Sequence, residues 1–164
     1  MTMQEPRAGQ PHMPEYGLAP LEEDGMLLPW RWAIEHLREG HNYWITTASR
    51  DARPHSVPVW GVWHGDRFYF STAPGSRKAR DLAENPRIVV APERGDEAVI
   101  VEGIAQACED RALLATVARE YEQKYQWKMD PDAGPIFEVR PSKVFAFIET
   151  GDQFTKTATR WRFD

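Results

Sequence analysis

Residues 53–63 read Arg53-Pro54-His55-Ser56-Val57-Pro58-Val59-Trp60-Gly61-Val62-Trp63, and one hairpin later comes Phe70-Ser71-Thr72-Ala73-Pro74-Gly75-Ser76-Arg77-Lys78. The first stretch is an extended run, read as a long strand over 55–63. Its two prolines lack amide donors, which marks an edge strand or an interrupted ladder. Backbone groups left unpaired by the sheet need other partners. A planar heterocycle with donors and acceptors on its rim would supply them; an edge strand covered by a loop is the plainer alternative. The second stretch passes from a strand through a tight turn into the start of a helix. Hydroxyls end the strand, Gly75 lets backbone approach a ligand, and two adjacent cations stand in the first helical turn. A helix amino end with basic side chains attracts anions, whereas cations there oppose the helix dipole when no anion is bound. A solvated basic turn is the plainer alternative here. Joined by a single hairpin, the two segments can hold a ring beside the first and its phosphate at the second.

On either side of this pair the elements are short and mostly extended. Pro29 suits a first helical turn, and Trp30, Ala33, Ile34 and Leu37 follow at helical spacing until Gly40. Residues 43–48 read as a strand, 49–52 as a turn, and 67–72 as a strand after the turn at 64–66. A helix is expected over 76–84, closed by Asn85-Pro86. Strands are expected over 87–91 and 97–107, and a helix to about residue 124 follows Glu109 and Asp110. Its apolar face is Leu114, Val117, Ala118, Tyr121 and Tyr125. Strands over 135–140, 143–149 and 157–163 complete the chain. Strands that neighbour each other in sequence, with few helices between them, indicate an α+β barrel or sandwich and not a doubly wound parallel sheet.

Residues 1–28 carry four prolines and three glycines among polar residues and read as a flexible arm. Residues 29–164 are then one domain, an ordinary size for a single core. A net charge of −5 argues against nucleic acid as the main partner. No run approaches the ~20 apolar residues that span a bilayer, no apolar signal core opens the chain, and the expected compartment is the cytoplasm. Cys108 stands alone, so no disulfide framework is available. The five histidines show no paired ligand spacing, and no metal centre is expected.

The run from Arg53 to Trp60, then Phe68-Tyr69-Phe70-Ser71-Thr72, Gly75-Ser76-Arg77-Lys78-Ala79-Arg80-Asp81-Leu82 and Asn85-Pro86-Arg87-Ile88, resembles the pyridoxamine 5'-phosphate oxidase-like FMN-binding split-barrel superfamily. Within it the likeness is to the actinobacterial branch that uses FMN or the deazaflavin coenzyme F420, and it spans residues 30–163. The resemblance implies an antiparallel split β-barrel with a few short helices, assembled as a homodimer with cofactor grooves between subunits. It implies that His55, Ser56, Val57, Pro58, Val59 and Trp60 lie along the ring and ribityl chain. Ser71, Thr72, Ser76, Arg77 and Lys78 would hold the phosphate. The expected activity is hydride transfer between coenzyme F420, or FMN, and a small organic substrate. The alternative is a non-catalytic flavin, F420 or haem carrier on the same scaffold. Val57 and Val62 stand where vitamin-B6 oxidases carry an arginine and a lysine, which argues against that oxidase activity. Trp60, Tyr125, Trp127 and Trp161 are candidates for shaping a substrate space or for packing.

Overall fold

The computed structural model describes residues 5–163. In chain order its elements are β1 (Arg7–Gly9), a 3-10 turn at Pro14–Tyr16, α1 (Trp30–Glu39), β2 (Tyr43–Ala48), β3 (Pro54–Val59), β4 (Val62–His64) and β5 (Arg67–Ser71). Then come α2 (Arg77–Glu84), β6 (Arg87–Pro92), β7 (Glu97–Ala107), α3 (Arg111–Tyr125), β8 (Ile136–Ile148), α4 (Gln153–Thr157) and β9 (Thr159–Arg162). All the ladders are antiparallel, and the main path of the nine-stranded sheet runs β1-β9-β8-β7-β6-β2-β3. This is the α+β split barrel expected from the sequence, with the sheet left open.

The split falls at Arg140-Pro141-Ser142. Along one edge β8 pairs with β7 almost throughout. Along its other edge residues 136–139 pair with β5 and residues 143–146 with β9. Pro141 stands where that second edge changes partner, and β7 slips its register opposite it, between Glu102 and Gly103. The sequence separates strands over 135–140 and 143–149; the structure joins them into one, because a proline between two partners costs no ladder bond.

The alternation of β2 points Tyr43, Ile45 and Thr47 inward and Trp44, Thr46 and Ala48 outward. Phe68, Phe70, Val90, Val101 and Val139 meet Tyr43 and Ile45 in the core, each fully buried. At about 1.5–3 kcal/mol per buried apolar side chain, this cluster dominates the favourable side of folding. A smaller cluster of Val62, Tyr69, Leu114, Val117 and Tyr125 seats α3. Cys108 packs at its margin, in keeping with a packing role.

The expected strand over 55–63 is interrupted at Trp60-Gly61. A Cβ on Gly61 would run into the Phe68 ring and stand 2.7 Å from the Tyr69 carbonyl oxygen. The backbone crosses the core there too closely for any side chain, so β3 stops and β4 starts on a new course. The bend is tied to α3: the Tyr125 hydroxyl accepts from Gly61 N at 3.0 Å and lies 2.8 Å from both Gly61 O and His41 O. Lys124 Nζ donates to the Tyr43 hydroxyl at 2.6 Å, Gly61 O at 3.1 Å and Arg38 O at 3.3 Å.

Two other segments differ from expectation. The terminal strand of 157–163 is replaced at its start by α4, because Thr157 lies buried and accepts from Ile148 N, closing a turn that sequence alone treats as extended. The described part of the segment read as an arm lies along the sheet. Arg7–Gly9 pairs with β9, Ala19 N and Met26 N donate to Thr155 O and Lys156 O, and Leu28 is buried. No helix of the described residues is long and apolar enough to cross a membrane.

Burial pushes the Lys124 ammonium down from 10.5 to about 8. Between those values the folded chain binds fewer protons than the unfolded one, so stability rises with pH. Burial acts oppositely on the Tyr43, Tyr69 and Tyr125 hydroxyls, raising each above 10.0. Above pH 10 the unfolded state releases protons that the folded state retains, and stability falls. The urea midpoint is therefore expected to climb from about pH 8 to 10 and decline beyond. Lys124→Met should abolish the climb and keep the decline; an equal climb in the variant would refute the assignment.

Candidate functional site

Strand β3 closes one end of the sheet path and has β2 as its only ladder partner among the described residues. Ser49 N donates to Arg53 O at 3.1 Å, and Arg77 Nη2 reaches Pro54 O at 3.4 Å. In an antiparallel ladder successive residues turn their backbone groups to opposite sides. His55, Val57 and Val59 therefore face β2, while Pro54, Ser56 and Pro58 face the open edge. Both prolines occupy positions where β2 asks for no N–H, and the open edge presents three carbonyls and the single amide of Ser56. The side chains of Val57 and Val59 pack against the core and their backbone groups face β2, so the backbone this strand offers a ligand is that of Pro54, Ser56 and Pro58. On the outer face Ser56 lies across from Thr46, hydroxyl to hydroxyl at 3.0 Å.

The turn after β5 carries the polar end of the site. Ser76 is the N-cap of α2, its Oγ accepting from Ala79 N at 3.2 Å, the capping that a serine before a helix favours. Thr72 Oγ1 sits 3.0 Å from the same oxygen, which joins the strand end to the helix start. Arg77 is exposed, 3.9 Å from Asp81 Oδ2, and spans from α2 to the edge of β3 through Pro54 O. Lys78 is half-buried, with no ion-pair partner among the described residues. Ser71 is paired opposite Ile136.

Sequence reasoning missed what fixes this turn. Asp81 is buried on α2 and accepts from Thr47 Oγ1 at 2.8 Å, and Asn85 Nδ2 donates to Ala48 O at 3.3 Å. The helix is thus pinned to β2 by one carboxylate and one amide, and Asp81 also faces Arg77 one turn earlier. The signal available was the i,i+4 spacing of Arg77 and Asp81.

Beside this corner a groove of about 340 Å³ runs over the outer face of β2, β6 and β7. Thr46, Ala48 and Pro54 form one wall, Asn85 and Arg87 the end, and Val89 and Ile104 the apolar floor. Arg87 therefore lies with the groove, whereas Arg80 stands exposed on α2. At the other end of β3, Trp60 stacks flat on Tyr125 (centroids 4.6 Å apart, 6° between planes), with His41 and Tyr121 beside them. Trp127 is exposed, while Trp161 is sealed in the core and touches Trp30 edge-on. Trp161 is accordingly packing. Val62 is also buried, in the α3 cluster.

Comparison with known proteins bears on this arrangement. The family model described as pyridoxamine 5'-phosphate oxidase matches residues 33–147. Among solved structures, a conserved hypothetical protein from Mycobacterium tuberculosis has 18% identity over 77% of this chain and 88% of that one, with a TM-score of 0.66. The haem storage protein HutZ from Vibrio cholerae has 15% identity over 71% and 90%, TM-score 0.56. An F420 reductase has 18% identity over 67% and 93%, TM-score 0.53. A search of curated proteins finds no match. With that family model covering most of the sheet as well as α2 and α3, the chain belongs to the pyridoxamine 5'-phosphate oxidase family.

Proposed function

We propose that the protein is an oxidoreductase that binds coenzyme F420, with FMN as the alternative, and exchanges hydride with a small organic substrate. The observation that carries this reading is the corner where Arg77, at the amino end of α2, reaches the carbonyl edge of β3. A phosphate at that corner meets Arg77, Lys78 and the Thr72–Ser76 hydroxyl pair. The edge of β3 beyond it offers carbonyl acceptors and one amide to a ring system. The bound cofactor supplies the hydride chemistry; the chain supplies a charge-matched anchor, a rigid edge and aromatic walls. Coenzyme F420 is preferred because it carries carboxylates beyond its phosphate, and Arg87 extends the cationic lining in that direction. The F420 reductase and the haem storage protein of like fold are in keeping with both this reading and its rival, a carrier without turnover. Val57 and Val62, turned into apolar clusters, leave no cation on the strand for a B6 phosphate, and pyridoxamine phosphate oxidation is not proposed.

The working unit is a homodimer. Trp44 and Ile104, 48% and 40% exposed, stand on the outer sheet face with Pro58 and Val89, an apolar patch of the kind that subunits cover. Sedimentation should give a dimer at micromolar concentration; a monomer that still holds cofactor would refute this. Mass spectrometry and the visible spectrum of the co-purified cofactor test the main reading. A deazaflavin that turns over with any member of a substrate panel supports the enzyme. Nanomolar FMN binding without F420 binding at tens of micromolar reverses the cofactor choice, and a stable haem spectrum without turnover establishes the carrier.

A further inference from the structure

Helix α1 turns one face to the core, where Ala33 and Leu37 are fully buried, and another to a concavity of about 340 Å³. The concavity lies between that helix, the β4–β5 turn and Phe163, the residue after β9. Trp30, Ile34 and Phe163 form its apolar floor, each half-buried and packed against the core. Trp30 meets Phe163 edge-on, with ring centroids 5.4 Å apart. The rim is charged. Arg31, Glu35 and Arg38 stand there on successive turns of α1, with Asp66 across from them on the β4–β5 turn. Spacings of four and three residues allow Glu35 to pair with either arginine. The chain makes such pairs elsewhere, Arg94 with Glu97 and Lys156 with Asp152. Among the described residues, however, Arg31, Glu35 and Arg38 have no ion-pair partner. Charges of both signs thus stand unengaged above an apolar floor.

We propose that this concavity binds a free α-amino acid with an apolar side chain. The side chain lies on Trp30, Ile34 and Phe163, the ammonium meets the Glu35 carboxylate, and the carboxylate takes the Arg38 guanidinium fork. Residues three apart on a helix hold their Cβ atoms about 5–6 Å from each other. A carboxylate and a guanidinium in that relation grip the two adjacent charged groups of a zwitterion. A lone anion would meet Glu35 and Asp66 at the same rim, and a lone cation would meet Arg31 and Arg38. The size agrees as well, since small-molecule sites run from roughly 300 to 1,000 Å³ and this one stands at the lower end. The concavity shares no residue with the α2 corner or with the groove beside it, so the site stands whether or not the proposed cofactor is right.

The test titrates the full chain with L-phenylalanine. Calorimetry should show saturable binding with a dissociation constant of about a millimolar or tighter, and the ¹⁵N–¹H resonance of Trp30 Nε1 should shift along the same curve. Two analogues each keep the ring and one charge. 3-Phenylpropionate lacks the ammonium and phenethylamine lacks the carboxylate, and each should bind at least about fivefold more weakly. Glu35→Gln and Arg38→Gln should each weaken binding of L-phenylalanine by at least about fivefold. Both side chains are exposed, so neither variant should disturb folding. Absence of saturation by about 10 mM would overturn the proposal, as would saturable heat without a shift of Trp30. A smaller loss than about fivefold for either analogue or either variant would overturn it too.

Discussion

Replacing Arg77 and Lys78 together by alanine is expected to weaken cofactor binding by two or more orders of magnitude while leaving the fold nearly as stable as before. Each charge-assisted bond to a phosphate is worth about 1.5–3 kcal/mol, and every 1.4 kcal/mol is a factor of ten. The fold loses little, because the Arg77 side chain is half-exposed and stands 3.9 Å from the buried Asp81 carboxylate, too far for a hydrogen bond. Asp81 keeps its bond from Thr47. Titration of the loaded and stripped protein, read beside a urea melt, separates the two quantities. Rising salt should lower wild-type affinity and leave the double variant almost indifferent. A double variant that binds within twofold of wild type would show that the phosphate sits elsewhere.

The second large effect is on stability and comes from one methyl group. Gly61→Ala places a Cβ against the Phe68 ring and 2.7 Å from Tyr69 O, where the neighbour is partly backbone and does not swing aside. Overpacking of this kind costs about 1–3 kcal/mol and occasionally more, and this site belongs at the upper end because Phe68 is itself fully buried. For a chain of this size the loss corresponds to roughly 5–10 °C in thermal midpoint. Gly75→Ala is the control. Nothing stands within 4 Å of its added Cβ, so its midpoint should move by no more than a degree or two, in line with a surface change. If Gly61→Ala melts with the control, the interruption of the strand has another cause.

The elements whose cues are local were legible in the sequence. Residues 43–48 and 97–107 alternate or carry β-branched runs, and both strands occupy those residues in the structure. The first helix starts after Pro29 and stops at Gly40, and α2 runs from its serine cap to Asn85. What escaped depends on distant groups. Gly61 breaks a strand only because Phe68 and Tyr125 close around it. Pro141 fails to break one because β5 hands over to β9 there. Thr157 turns the chain only because Ile148 N needs an acceptor. At the candidate site the hydroxyls and cations were legible as residue types in one turn. Asp81, the carboxylate that pins the turn to β2, reads in sequence as one more surface acid. The side chains of Val57 and Val59 point away from the face that their neighbours Ser56 and Pro58 present. That is a consequence of strand phase, which depends on where the ladder with β2 begins.

The placement of Pro54 and Pro58 on the open side of β3 also bears on how this chain behaves in a crowd. An exposed strand edge with alternating donors and acceptors is a template on which a stray segment of another molecule adds itself, the first event of sheet-to-sheet aggregation. Two of the three residues facing outward here have no hydrogen to give, so an incoming strand finds acceptors where it needs donors. The same substitution of ring for hydrogen that leaves carbonyls free for a small molecule makes the edge inhospitable to a polypeptide.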